Sequence, residues 1–128
     1  MRFLLFSKLN YKHCRLLAIA WMAFIFMMSS QPTIPIPQVG IGQDKFMHFI
    51  AYGILGFLLA KSFKDSNNGL ALKQIIIAGL FALLYGASDE IHQSFVAGRD
   101  ASWADLLADG IGGFVGAFLL LRRSKKEN

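Results

Sequence analysis

The sequence predicts an all-α integral membrane protein, a bundle of four transmembrane helices with both termini on the cytoplasmic side (N-in and C-in). Hydrophobic residues make up 55% of the 128 residues, against about 45–50% in soluble globular proteins. They fall into four apolar segments joined by polar turns. Basic residues gather beside alternate ends of these segments, as membrane topology signals do. One membrane domain covering residues 1–128 accounts for these observations.

The first apolar segment runs over Leu16–Met28 and is extended by Ser29 and Ser30. A span needs roughly 20 residues, so this segment is short unless Arg15 joins it and extends its charged end outward. The basic residues before it also fit the start of a cleaved signal peptide. No clear small-x-small cleavage site follows, so a retained helix is favoured.

The other three apolar segments are expected over Phe46–Phe63, Gln74–Ser88 and Trp103–Leu121. Three prolines between the first and second segments enforce an extended or turning connection, and a polar turn ending in glycine separates the second from the third. The pattern Gly112-x-x-x-Gly116 in the fourth segment allows two helices to approach closely. This contact is expected within the bundle, with a homo-oligomer as the alternative.

The charge distribution sets the expected orientation. Eleven of the 13 Lys and Arg residues precede the first segment, lie between the second and third, or follow the fourth. Four crossings place these regions on one side, which the positive-inside rule makes cytoplasmic. The other side receives Lys45 and Arg99 together with six of the eight acidic residues. Nucleic acid is not expected as a partner, because the basic residues form no patch interleaved with exposed aromatic residues.

Polar side chains recur at the outer end of each of the last three segments. Their spacing within each segment places them on one side of a helix. Ionisable groups are costly near lipid, so a cluster of them indicates a functional site by default. We therefore expect the three polar faces to turn toward one another around a cavity open to the outside. The candidate site residues are Asp44, Lys45, His48, Tyr52, Asp89, Glu90, His92, Gln93, Arg99, Asp105 and Asp109.

The chemistry of these side chains suggests several roles. His48, Asp89 and Glu90 are the candidate catalytic residues, because imidazole and carboxyl groups in a cleft are tuned for proton transfer. Arg99 can hold a carboxylate or phosphate with its planar fork. The histidines and carboxylates also offer ligands for zinc or a harder divalent ion, although no His-x-x-x-His spacing is present. The competing interpretation is a buried ionic network that only fixes the bundle.

Four short motifs within the polar stretches carry a family resemblance. They are Asp44-Lys45-x-x-His48-x-x-x-Tyr52, Tyr85-Gly86-x-x-Asp89-Glu90-x-x-Gln93-x-Phe95, Gly98-Arg99, and Asp105-x-x-x-Asp109-x-x-Gly112. In this order and spacing the region 44–116 resembles the VanZ-like family of small bacterial membrane proteins. The family usually has Asn at the position of Asp109, so a purely hydrogen-bonding role there is in doubt. The resemblance implies a location in the bacterial inner (cytoplasmic) membrane, and it links the chain to a family whose founding member is associated with low-level resistance to the glycopeptide teicoplanin.

The residues and the resemblance together favour a functional site on the periplasmic or extracellular side. The first hypothesis is a membrane enzyme acting on an envelope lipid or a lipid-linked glycan or phosphate. The alternative is a non-catalytic binding or accessory protein for a lipid, an amphiphilic antibiotic or a partner membrane protein. A small transporter is disfavoured, because the polar groups cluster at one end without a path to the cytoplasm.

Overall fold

The computed structural model describes residues 9–32, 40, 42–63 and 72–127. Across these residues the chain forms four α-helices and no strands, which confirms the all-α prediction. The helices are α1 (Tyr11–Ser29), α2 (Gln43–Lys61), α3 (Leu72–Gln93) and α4 (Trp103–Glu127). The predicted apolar segments Leu16–Met28 and Gln74–Ser88 lie within α1 and α3, and Trp103–Leu121 lies within α4. The segment Phe46–Phe63 extends two residues past the end of α2 at Lys61.

Local capping explains where two of the helices begin. The side chain of Asn10 accepts a hydrogen bond from the His13 backbone N–H at 3.0 Å, so α1 starts five residues before the apolar run. The Ser102 hydroxyl accepts from the Asp105 N–H at 3.4 Å and caps the start of α4. Hydropathy alone does not detect such caps, because the capping residues and the first turn are polar.

The closest helix crossing joins α2 to α4 through glycines. A Cβ added at Gly116 would collide with the backbone carbonyl of Gly53, and one added at Gly112 would collide with the carbonyl of Phe49. Gly56 meets the backbone of Gly113 in the same way. The absence of side chains lets the two backbones touch. The close contact expected at the Gly112-x-x-x-Gly116 pattern is therefore made within the chain.

The first helix is fastened to the others by polar groups as well as apolar packing. Trp21 donates its indole N–H to the Ala51 carbonyl of α2 at 2.8 Å. The Tyr85 hydroxyl of α3 donates to the Met22 carbonyl at 2.7 Å. At the opposite end of the bundle from the polar stretches, Arg15 donates to the carbonyl of Ser62 at 3.0 Å. These bonds fix α1 along its length.

Apolar side chains cover the outside of the bundle, whereas much of its interior at one end is polar. Leu84 is 69% exposed and Phe46 is 65% exposed, while Asp109 and Glu90 are buried. This arrangement reverses that of a soluble domain and suits a lipid environment.

Three helices in the described part of the chain are long and apolar enough to cross a membrane. They are Tyr11–Ser29, Leu72–Gln93 and the Trp103–Leu120 part of α4. The structure thus confirms that α1, α3 and the Trp103–Leu120 part of α4 have the length and composition predicted for membrane spans. The polar residues at the start of α2 make that helix less apolar, so a fourth span and the orientation of the termini stay predictions.

Candidate functional site at the polar end of the bundle

The polar ends of α2, α3 and α4 meet, as the sequence predicted. His48 Nδ1 of α2 lies 2.8 Å from Asp109 Oδ1 of α4. The same nitrogen lies 3.9 Å from Glu90 Oε1 of α3. These three side chains form the centre of the site, and we call them the His48–Glu90–Asp109 triad.

Asp109 is the most enclosed member of the triad, with none of its surface exposed. It reaches this position because Gly86 of α3 has no side chain. A Cβ at Gly86 would lie 2.8 Å from both Cβ and Oδ2 of Asp109. In the sequence Gly86 stands out only as part of a motif, since spacing alone does not reveal which residue faces it across the helix contact.

Glu90 connects the end of α3 to the start of α4. Its Oε2 accepts a hydrogen bond from the Ser102 backbone N–H at 2.8 Å, while its Oε1 faces His48. Ser102 thus caps α4 through its side chain and holds Glu90 through its backbone. This second role was missed, because a backbone donor leaves no trace in the sequence.

Asp89 points to another part of the site. Gln93 donates to Asp89 Oδ2 at 3.1 Å, one helical turn away on α3. Asp89 and Glu90 are neighbours in sequence but line different cavities. Asp89 lines one of about 200 Å³, which we call the α1-side cavity. Glu90 lines one of about 360 Å³ beside Ser102 and Trp103, which we call the Trp103-side cavity.

Most of the surface that lines the α1-side cavity is apolar, and several polar residues border it. Phe24, Ile25 and Met28 line it from α1. The polar residues come from α2, from α3 and from the loop between α3 and α4. They are His48, Tyr52, Asp89, Gln93 and Arg99. Six of the eleven predicted site residues belong to the triad or line the α1-side cavity from α2 and α3. They are His48, Tyr52, Asp89, Glu90, Gln93 and Asp109. Arg99 lines the same cavity from the loop.

Tyr52 is the largest fully buried side chain at this end. Its ring lies parallel to that of His48, with the ring centres 6.4 Å apart. Its hydroxyl is buried without a hydrogen-bond partner in the described residues. The Asp89 carboxylate lies close to this hydroxyl, so a small rotation would let the phenol donate to Asp89 or to a ligand in the cavity.

Arg99 reaches the cavity from a tight loop. Gly98 has a φ of 78°, a left-handed conformation that glycine adopts without strain. The chain turns there, and the Arg99 N–H donates to the Val96 carbonyl at 3.1 Å. The expectation that Arg99 belongs to the polar site agrees with its place in the cavity wall.

Lys45, Asp44 and Asp105 form the rim of the site. Lys45 Nζ lies 3.3 Å from Asp44 Oδ2 and 3.6 Å from Asp105 Oδ1. The Lys45 side chain is 45% exposed, so these pairs are screened by solvent and contribute little to stability.

His92 is placed differently from the other predicted residues. Its ring stacks on Phe26 of α1, with the ring centres 4.6 Å apart. Its Nδ1 is buried without a hydrogen-bond partner in the part of the chain that the structure describes. Helical spacing put His92 on the same face as Asp89, yet its ring packs against α1 outside the triad.

The fold and the site define a small α-helical membrane protein with a buried histidine–carboxylate centre at one end of its bundle. Comparison with known families makes this more specific. The chain belongs to the VanZ/LLP1 family, whose profile matches residues 15–123. The family resemblance predicted from residues 44–116 is thus confirmed, and the match extends over α1. No curated protein matches the chain, and no solved structure matches it.

Proposed function

We propose that the protein spans a bacterial cytoplasmic membrane four times, with both termini in the cytoplasm and the triad near the outer surface. The packing of α2 against α4 along the glycine crossing supports a fourth span alongside the three more apolar helices. The bonds from Trp21 and Tyr85 support α1 as a permanent part of the bundle. Arg15 and Lys61 lie at the end of the bundle opposite the triad, in keeping with the positive-inside rule.

Cysteine labelling tests this orientation. Ser94 is exposed at the triad end and Lys73 is exposed at the opposite end, while the native Cys14 is buried. In intact cells, a membrane-impermeant maleimide is expected to label Ser94→Cys. Lys73→Cys is expected to react only after the membrane is permeabilised. The reverse pattern would mean that the site faces the cytoplasm.

We infer that the protein is a membrane enzyme acting on the head group of an envelope amphiphile, a lipid or a lipid-linked glycan or phosphate. The observation that carries this proposal is a largely apolar α1-side cavity that Asp89 and Arg99 border together with Phe24 and Met28. At about 200 Å³ the cavity is smaller than the usual ligand pocket of about 300–1,000 Å³. It would therefore hold the reacting part of a ligand whose tail remains in the lipid.

The side chains of the site suit this chemistry. Arg99 would bind an anionic head group, because guanidinium pairs with phosphate or carboxylate through two parallel hydrogen bonds. Asp89 and His48 line the same cavity and would transfer protons to and from the ligand. Glu90 supports His48 from the opposite side.

Lipid turnover is the direct test. The purified full-length protein would be incubated in nanodiscs with a total bacterial envelope lipid extract, and the lipids followed by mass spectrometry. We expect the wild type to convert one lipid species and Asp89→Asn to slow that conversion at least about 100-fold, the usual contribution of a positioned acid or base. The matched control is Asp100→Asn, because Asp100 is an exposed acid in the neighbouring loop; it should keep full turnover.

The same experiment separates an enzyme from a binding protein. A lipid that copurifies with the wild type and with Asp89→Asn, and that never changes mass, would identify a non-catalytic binding protein. If the protein shows no lipid turnover and no lipid copurifies with it, both the enzyme and the binding-protein proposals are wrong.

A lipid-tailed glycopeptide such as teicoplanin belongs to the same chemical class of amphiphile. The proposed link to resistance therefore predicts that deleting the gene increases teicoplanin susceptibility. It also predicts that the wild-type gene restores resistance and the Asp89→Asn gene does not. Unchanged susceptibility on deletion would separate this chain from the resistance phenotype.

A further inference from the structure

We propose that the His48–Glu90–Asp109 triad binds one divalent transition-metal ion of the zinc or manganese class. The ion site deepens the proposed function and depends on it only for the identity of the substrate. Ion binding itself can be measured without any lipid turnover. It also divides the work of the site. The triad would hold the ion, with His48 as a ligand through Nδ1. Of the two residues proposed above for proton transfer, Asp89 of the α1-side cavity would then carry the proton.

The spacing of the donor atoms fits one ion. One nitrogen and two carboxylate oxygens, each from a different helix, all lie within 4.8 Å of one another. Two ligands bound about 2.1 Å from the same ion lie about 3.0–4.2 Å apart, depending on the angle between them. The 3.9 Å separation of His48 Nδ1 from Glu90 Oε1 lies within this range, and the 2.8 Å separation from Asp109 Oδ1 is slightly shorter than it. An ion between His48 and Asp109 would need these two atoms to move apart by a few tenths of an ångström.

Two buried oxygens at this point lack a hydrogen-bond donor. Glu90 Oε1 and Asp109 Oδ2 have no hydrogen-bond partner in the described residues, and the two residues are only 6% and 0% exposed. The single Nδ1 of His48 can serve one of the two carboxylates. Buried carboxylate oxygens are normally paired or bound to a cation. Asp109 Oδ2 lies against Gly86, whereas Glu90 Oε1 faces His48. The unpaired Glu90 oxygen is therefore a second sign of a ligand, independent of the residue types.

Neither nearby base supplies the missing positive charge. Lys45 is half exposed at the rim, where it contacts Asp44 and Asp105. Arg99 lines the α1-side cavity. Among the described ion pairs, none joins a lysine or arginine to Glu90 or Asp109. A divalent cation would balance both carboxylates at once.

The ligand set also indicates the class of ion. Imidazole favours zinc, iron and similar ions, whereas carboxylates alone would suit magnesium or calcium. Three protein ligands leave at least one coordination position open, which is the arrangement of catalytic sites. An ion held there would act as a Lewis acid toward a phosphoryl or carbonyl oxygen of the ligand.

Metal content and ligand identity can both be measured on the full chain in detergent. The protein would be purified with a histidine-free tag, stripped with a chelator and reloaded with Mn²⁺. We expect one ion per chain by elemental analysis, and pulsed electron paramagnetic resonance should detect one coordinated imidazole nitrogen. His48→Gln should abolish that nitrogen signal and His92→Gln should keep it. Binding well below one ion per chain, or a wild type without the nitrogen signal, would overturn the proposal.

Acidic variants provide a second readout. Glu90→Gln and Asp109→Asn are expected to weaken Mn²⁺ binding at least about tenfold, because even supporting residues cost that much. Asp100→Asn is the control, since Asp100 is an exposed acid in the loop before α4. An equal loss in Asp100→Asn would indicate a general effect of negative charge and overturn the assignment. If the triad variants do not fold, the wild-type nitrogen signal decides the question.

The outcomes remain separable from those of the proposed function. Stoichiometric Mn²⁺ with imidazole coordination but no lipid conversion would keep the metal site and remove the enzyme proposal. Lipid conversion by a protein that binds no ion would keep the enzyme proposal and remove the metal site.

Discussion

Replacing Gly116 by alanine is expected to force α2 and α4 apart, even though alanine is the better helix former. The new Cβ would collide with the Gly53 carbonyl oxygen and lie 2.7 Å from its carbon. Both atoms belong to the α2 backbone, so no side chain can rotate to make room. The two helices must separate or tilt.

A glycine on the same helix supplies the control. At Gly110 an added Cβ would lie 2.9 Å from Leu83 Cδ1, the end of a flexible side chain. Both substitutions gain up to about 1 kcal/mol of helix propensity. Overpacking against an obstacle costs about 1–3 kcal/mol. We therefore expect Gly116→Ala to lose about 1–2 kcal/mol of unfolding free energy, and Gly110→Ala to be neutral or slightly stabilised.

The unfolding free energy can be measured by tryptophan fluorescence in mixed detergent micelles, where denaturing detergent is titrated against both variants and the wild type. The separation of α2 from α4 should also lengthen the 2.8 Å contact between His48 and Asp109, which bridges the same two helices. A Gly116→Ala protein at least as stable as Gly110→Ala would refute the steric reasoning.

Three further outcomes are expected. Trp21→Phe removes the 2.8 Å bond to the Ala51 carbonyl and should lower the unfolding free energy by about 0.5–1.5 kcal/mol. The detergent titration of this variant and its wild type is followed by circular dichroism, since the substitution removes a fluorescent tryptophan; unchanged stability would mean that the bond contributes nothing to α1 docking. Ser102→Ala removes the hydroxyl that accepts the Asp105 N–H and should lower the free energy of unfolding by about 0.5–1 kcal/mol. Amide hydrogen exchange should accelerate in the first turn of α4. An equal acceleration along the whole helix would contradict a capping role. Arg99→Gln should reduce copurified anionic lipid in native mass spectra and leave zwitterionic lipid unchanged. An equal loss of both lipids would mean that the substitution disturbs the apolar lining of the cavity and not a contact with charge.

The convergence of the polar ends could be predicted from the sequence because it needs only two facts. Alternating spans bring the start of α2, the end of α3 and the start of α4 to one end. Helical spacing then gives each polar set a common face. The contact of His48 with Asp109, 61 residues apart, follows this logic.

The detailed partners could not be predicted, because spacing does not fix the rotation of a helix against its neighbours. His92 shares a face with Asp89 by spacing, yet it stacks on Phe26 of α1. Gly86 and the Ser102 backbone shape the site without any polar side-chain signal. The catalytic roles of His48, Asp89 and Glu90 stay predictions.

The long sequence separation within the triad has a consequence for how this protein is made. In the proposed four-span arrangement, α2 leaves the ribosome well before the α4 residues that contact His48 and Lys45. Its glycine stripe also has no partner surface until α4 appears. Stable insertion of α2 must therefore await synthesis of α4. A chain truncated before Trp103 should leave α2 outside the bilayer and exposed to quality-control proteases.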